Sequence, residues 1–437
     1  MGLKQLDVKV AAALSGLVVA ILVLMPYHAT LTVWLSSGLG HYTALRLWKE
    51  VLLIALLIAG VVQFYRDGKL RWRLISYKLH WLLAGYLLVQ LLWGILAIAM
   101  HHVTAKALGY AWIINLRFLA FFLVAWGVAC YVPAVVKAWP KWVFWPMAGV
   151  VVIGLLQYFV LPYDFMKHLG YGEATIYPYE TINHNIHHLR VMSTLRGANP
   201  LGAYLVLTLT LGLVQFYKKR SWWLGSLLAA GLVVLVISFS RSAWIGLVLS
   251  SAVLAWNFLK TSRARKIALG VVAGGILIVG LVTAALWNNT SFQDAVFHTN
   301  DKSTIKISSN EGHASALKHG LHDLLHEPLG RGPGTAGPAS VYNTGHPGRI
   351  AENYFVQIGQ ETGWIGLMLF LAINVVIVRA LWRRRDQTLA LGLLAALAGL
   401  TFINLLSHAW TDDTLAYLWW GLAGFAIATE LRKKDEV

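Results

Sequence analysis

The chain has 437 residues, of which 58% are hydrophobic and only 13% charged, with a mean hydropathy of +0.62 and a formal net charge of +17. Soluble globular domains carry about 25% charged residues, and here apolar runs of about 20 residues, the length that crosses a bilayer, recur along the chain, so the composition excludes a soluble domain. The positive charge does not indicate a nucleic-acid binder, because the cations fall in short clusters between apolar runs, as the positive-inside rule produces.

Backbone groups in lipid must be satisfied within the segment, so the expected fold is all-α, a polytopic membrane bundle. Hydropathy predicts twelve spans, near 8–26, 48–65, 80–100, 108–132, 142–162, 200–217, 222–239, 243–259, 267–287, 353–378, 387–407 and 414–430. The first follows Lys4 and Lys9 without a small-residue cleavage site, so it reads as retained. Cys130 is the single cysteine and lies in an apolar run, which excludes an intrachain disulfide.

Alternate connections hold most of the 36 cations, including Lys69, Arg71 and Arg73, Lys218 to Arg220, and Arg383 to Arg385. This asymmetry predicts cytoplasmic termini and outward-facing long loops at 163–199 and 288–352. The chain thus divides into spans one to nine with the first long loop (1–287), a loop region (288–352), and spans ten to twelve with a tail (353–437).

The 163–199 loop ends in Arg190-Val-Met-Ser-Thr-Leu-Arg196-Gly-Ala-Asn199-Pro200, just before a span. Arginine, Ser, Thr and Asn at a helix start make an anion cradle, since free backbone N–H groups add to the guanidinium charge. Arg241 lies in Ile237-Ser-Phe-Ser-Arg-Ser-Ala-Trp244, a very short link between two spans, where an arginine usually meets an anionic partner or ligand. Arg117, inside a span, reads as the partner of a buried acid.

In the second long loop, residues 311–327 predict a short helix. Ser308 and Glu311 fit a capping box, Ala314, Leu317, Leu321, Leu324 and Leu325 form its apolar stripe, and Pro328 ends it. Arg331 and Arg349 add two more outer guanidiniums, whose planar forks suit a diphosphate. The histidines at 184, 187, 188, 319, 322 and 326 complete no metal motif. Gly332-Pro-Gly-Thr-Ala-Gly337 matches GxGxxG, but a helix precedes it and a proline interrupts it, so it is no dinucleotide site. Glu352 and Glu361 bracket the start of a span on opposite faces. Glu352, with His346 or His313 near it, is a candidate general base. Asp412 and Asp413 in the last outward connection are placed to hold an arginine or a sugar.

Ser240-Arg241-Ser-Ala-Trp244, Pro328-Leu-Gly-Arg-Gly-Pro-Gly334, Glu352-Asn-Tyr-Phe, Glu361-Thr-Gly363 and Arg190…Asn199-Pro200, in this order and topology, resemble the O-antigen ligase/polymerase superfamily over roughly residues 145–410. The ligase branch is the closer likeness. The resemblance implies a glycosyltransferase C-type (GT-C) architecture in a bacterial inner membrane, working at the periplasmic face with no cofactor and no metal. The implied donor is a polysaccharide on undecaprenyl pyrophosphate, and the implied acceptor is a sugar hydroxyl of lipid A-core. It implies that Arg241 binds the diphosphate, assisted by Arg190 or Arg196 and a loop arginine. Glu352 stands where many ligases carry a catalytic histidine, so the base is Glu352 itself, His346 or His313. A polymerase with a lipid-linked acceptor and a transporter of lipid-linked sugar are the rival readings. The inverted repeats and broken midplane helices typical of transporters are not evident in the sequence.

Overall fold

The computed structural model describes residues 8–182, 185–259 and 309–433. Its elements are 78% helix and 2% strand. In chain order the helices are α1 (Val8–Leu24), α2 (His28–Leu39), α3 (Tyr42–Leu45), α4 (Trp48–Arg66), α5 (Gly68–Ser76), α6 (Lys78–Ala99), α7 (Ala105–Tyr131), α8 (Pro133–Lys137) and α9 (Trp139–Phe159). They continue with α10 (Ala198–Lys218), α11 (Trp222–Ile237), α12 (Arg241–Phe258), α13 (Ser309–His326), α14 (Tyr354–Trp382), α15 (Thr388–Leu405) and α16 (Asp413–Lys433).

Among the described residues, seven helices are long and apolar enough to cross a membrane: Ala12–Leu39, α6, α7, α9, α10, α14 and α15. The expected spans over 48–65, 222–239, 243–259 and 414–430 also form helices, α4, α11, α12 and α16, but these fall outside that set. The physical reason is visible in one of them, since α11 has only 16 residues. The expected span at 267–287 lies outside the described residues. One departure from an all-α chain is a small antiparallel ribbon in the 163–199 loop, β1 (Glu180–Ile182) paired with β2 (Asn185–Arg190), with Glu180 opposite Arg190.

The helices pack where small residues let backbones approach, the usual device in a membrane bundle. Gly246 of α12 lies against Gly399 of α15, so a side chain at either would meet the other's backbone carbonyl. Gly421 and Gly424 of α16 fit against Phe121, Phe122 and Trp126 of α7. Buried aromatic rings fill the centre, with Phe118 4.6 Å from Trp420 and 6.1 Å from Phe370.

This packing sorts the chain ends into two faces. At one, Lys218 Nζ donates to Asp386 O at 2.5 Å and Arg384 to Ala426 O at 3.2 Å, which joins the cationic connections of α10, α14 and α16. The starts of α10, α12, α14 and α16 and the end of α15 lie at the other, the loop end. The predicted site residues are all found there.

Candidate functional site

The end of α15 is the hub. Asn353 caps α14 by accepting the N–H groups of Phe355 and Val356 at 3.0 and 3.1 Å, the expected role of Asn before a helix. Its amide nitrogen donates to Leu405 O at 3.0 Å, and Tyr354 N donates to Ser407 O at 3.2 Å. From the next turn, Asp412 lies 3.8 Å from the Arg196 guanidinium.

The β-ribbon delivers the first arginine. Val191 N donates to Ile237 O and Arg190 Nε to Ser238 O, both at 3.2 Å, which docks the end of β2 on the α11–α12 link. Arg190 then reaches Asn199 Oδ1 at 2.7 Å and the Glu180 carboxylate at 3.4 Å. Glu180 also accepts the N–H of Ala198 at 3.2 Å, so one acid aligns both the arginine and the start of α10. Burial holds Arg190 below the usual arginine range despite Glu180. Arg241 opens α12 in the field of Arg190. Gly202 of α10 fits against Ser240 and Ala243, so the two helix starts are neighbours. Arg190, Asn199 and Arg241 therefore form one group, and Arg196 lies apart from it beside Asp412.

The carboxylate lies across the hub. Glu352 adopts a left-handed backbone (φ 53°) and pairs with His313 of α13 at 3.6 Å. Alpha-13 covers 309–326, close to the expected 311–327. It is pinned by Leu324 against Gly359 and by Gly320 against Ala351 and Val356. Ser308 lies outside the described residues. His346 sits in an exposed turn with its N–H on Asn343 O, and among the described residues no contact joins it to Glu352. Sequence reasoning passed over His408. Both of its ring nitrogens are buried without a hydrogen-bond partner, and burial with the nearby His313 pushes its pKa down to about 4.

Residues 224–371 match the O-antigen ligase family. The match supports the ligase/polymerase superfamily, whose substrates are lipid-linked polysaccharides, and does not divide ligase from polymerase. No curated protein matches the chain. The matched residues run from α11 into α14 and so include Arg241, His313, Arg331, Arg349, Glu352 and Glu361. Arg190, Arg196 and Asn199 lie before them.

Within the matched residues, the glycine-rich run after Pro328 is a wedge anchored by Glu361. This buried carboxylate accepts Gly334 N and Asn115 Nδ2, both at 2.8 Å. Gly332 N donates to Glu361 O at 2.7 Å, where α14 kinks at Gly363 (φ 64°). Gly332 and Gly334 have positive φ, and a side chain at either would strike α6 or α7. Arg331 and Arg349 support this wedge. Arg331 pairs with Glu327, and Arg349 pairs with Asp323 at 2.9 Å and Glu327 at 2.7 Å. The Asp323 carboxyl, raised by burial but hydrogen-bonded by Gln360 and Arg349, ends below its usual range.

Beneath the hub is a buried ionic cluster. Lys49, 1% exposed, lies 2.9 Å from Asp413 and 3.1 Å from Glu50, and His28 is 3.2 Å from Asp413. Arg117 joins Asp413 and the carbonyl of Thr411. Its depth in a span predicted such an acid partner. Lys49 gave no signal, because it lies one residue inside an apolar run.

Proposed function

We propose that this chain is an O-antigen ligase: it transfers a polysaccharide from undecaprenyl pyrophosphate to a sugar hydroxyl of lipid A-core, with inversion and with neither metal nor nucleotide. It does so at the periplasmic face of the bacterial inner membrane, in a GT-C-type bundle of twelve spans with both termini cytoplasmic. The observation that carries this reading is the convergence of Arg190, Asn199 and Arg241 at the loop end, with Arg241 inside the O-antigen ligase match.

The chemistry follows from charge. As the bond between the anomeric carbon and the diphosphate oxygen breaks, negative charge grows on the leaving group. Arg241 and Arg190, the latter fixed beforehand by Glu180 and Asn199, stabilise it with little reorganisation. Arg196 lies apart, beside Asp412. The acceptor oxygen forms the new bond on the opposite face of the sugar, and its proton passes to Glu352, oriented by His313. General-base help of this kind contributes about 10²–10⁴-fold. His346 lies apart from that pair, and Arg331 and Arg349 hold the glycine-rich wedge through α13 rather than the headgroup.

The test is reconstitution of the purified chain with undecaprenyl-pyrophosphate-linked polysaccharide and lipid A-core, with EDTA and without nucleotide. A lipopolysaccharide ladder supports the reading. Extension of lipid-linked saccharide in its place would assign a polymerase, and movement across the bilayer without new bonds a transporter.

A further inference from the structure

A second concentration of charge opens at the loop end, between the start of α4, the first half of α7 and the turn Gly337–Tyr342. A cavity of about 50 Å³ is lined there by Arg46, Lys49, Arg117 and Arg196 against Glu50 and Asp413, four cations facing two carboxylates. The inner pair is neutralised, since Lys49 and Arg117 both bind Asp413 and Glu50. The outer pair is not. Among the described residues Arg46 has no carboxylate partner, and Arg196, half exposed, reaches Asp412 only at 3.8 Å. Tyr42 lies in the electrostatic field of both Arg46 and Arg196, which puts the two guanidiniums near one group.

Arg46 is positioned by stacking. Its guanidinium lies 5.7 Å from the Tyr110 ring, Tyr110 stacks on Tyr342 at 4.1 Å with planes 15° apart, and the Lys106 ammonium lies 5.0 Å from Tyr342. Thr104 Oγ1 donates to Tyr342 O at 3.1 Å and Asn343 Nδ2 to His102 O at 3.0 Å, which fixes the turn that carries the ring. Cation–π contact orients a cation without neutralising it, so the N–H fork stays available to a bidentate acceptor. A cavity of this size holds roughly three or four waters. It therefore admits the oxygens of one tetrahedral anion and leaves any attached sugar ring at the mouth, beside the aromatic stack.

We propose that Arg46 and Arg196 form a second anion site at the mouth of this cavity, which takes a phosphate group carried on a saccharide. The site is separate from the diphosphate group of Arg190 and Arg241. Combined with the proposed function, on which this part rests, that saccharide is the acceptor, and the enzyme recognises it through a phosphorylated sugar near the accepting hydroxyl.

The experiment measures binding to the full chain of three probes: a phosphorylated core oligosaccharide freed of its acyl chains, the same oligosaccharide after phosphatase treatment, and inorganic phosphate. The unmodified protein is expected to bind the phosphorylated form at least tenfold more tightly than the treated form. Arg46→Gln is expected to bring the two to one weak affinity, and Arg46→Lys to keep part of the difference. Equal affinity for the two forms on the unmodified protein, a comparison that needs no variant, overturns the site. So does a preference retained in Arg46→Gln. Inorganic phosphate competing as well as the oligosaccharide overturns the saccharide part. Transfer is assayed separately: transfer without phosphate preference removes this site and leaves the ligase reading, and phosphate preference without transfer does the reverse.

Discussion

Glu361 accepts the backbone N–H of Gly334 at 2.8 Å, and through this bond a kink in α14 holds a loop that lies 27 residues earlier in the chain. The same carboxylate binds Asn115 of α7, so one buried acid ties three elements together. Glu361→Gln keeps one acceptor oxygen but turns an amide donor towards a partner that is itself a donor. A buried donor left unpaired costs about 1–3 kcal/mol. The expected result is a lower melting temperature with faster proteolysis or hydrogen exchange confined to 328–337. An unchanged exchange rate there would remove the latch.

Glu352 and Arg241 separate by kinetics. Glu352→Gln removes the proton acceptor and leaves the guanidiniums in place, so turnover falls by about 10²–10⁴-fold with donor affinity nearly unchanged. If affinity falls instead, the base is elsewhere, and His313→Gln is the next variant to measure.

Arg349 is expected to behave as a structural residue. It is 12% exposed and paired with two carboxylates of α13. Arg349→Ala leaves Asp323 and Glu327 partly buried without their cation, a loss of about 3 kcal/mol where such a pair is well buried and less at this rim position. Thermal melting should drop while donor affinity per folded molecule holds. Loss of donor affinity without loss of stability would return Arg349 to the headgroup.

His408 predicts an acid limb. Its pKa falls to about 4 in the fold against about 6.5 unfolded, through burial and the nearby His313. The unfolded chain therefore binds more protons between these values. Stability from this group is complete above about pH 6.5 and is lost as the pH falls towards 4, about 3 kcal/mol in all. His408→Gln should flatten melting temperature against pH across that window. A profile identical to the unmodified protein would contradict this.

The helical bundle was legible in the sequence because apolar run length is a local signal; among the described residues, seven of the twelve expected spans are long and apolar enough to cross a membrane. The grouping at residues 190–199 was readable too, since a helix start rich in Arg, Ser and Asn has one obvious chemistry. Glu180 was not, because it aligns Arg190 only across a ribbon whose pairing no apolar pattern announces. Lys49 and His408 were hidden for a related reason: each sits at the edge of an apolar run, and its significance comes from Asp413 or His313, far away in the chain. Arg331 is the opposite case, since Glu327 precedes it by four residues and their pairing could have been read directly.

The central claim is that guanidinium charge at the loop end holds the diphosphate while it leaves. Its most direct test is the transfer rate of Arg241→Ala in the reconstituted assay, with melting temperature measured on the same sample. The account predicts a fall of at least 10²–10³-fold, the scale for removing one preorganised charge-stabilising group, with the fold intact. Ligation at the unmodified rate by a folded Arg241→Ala protein would contradict it.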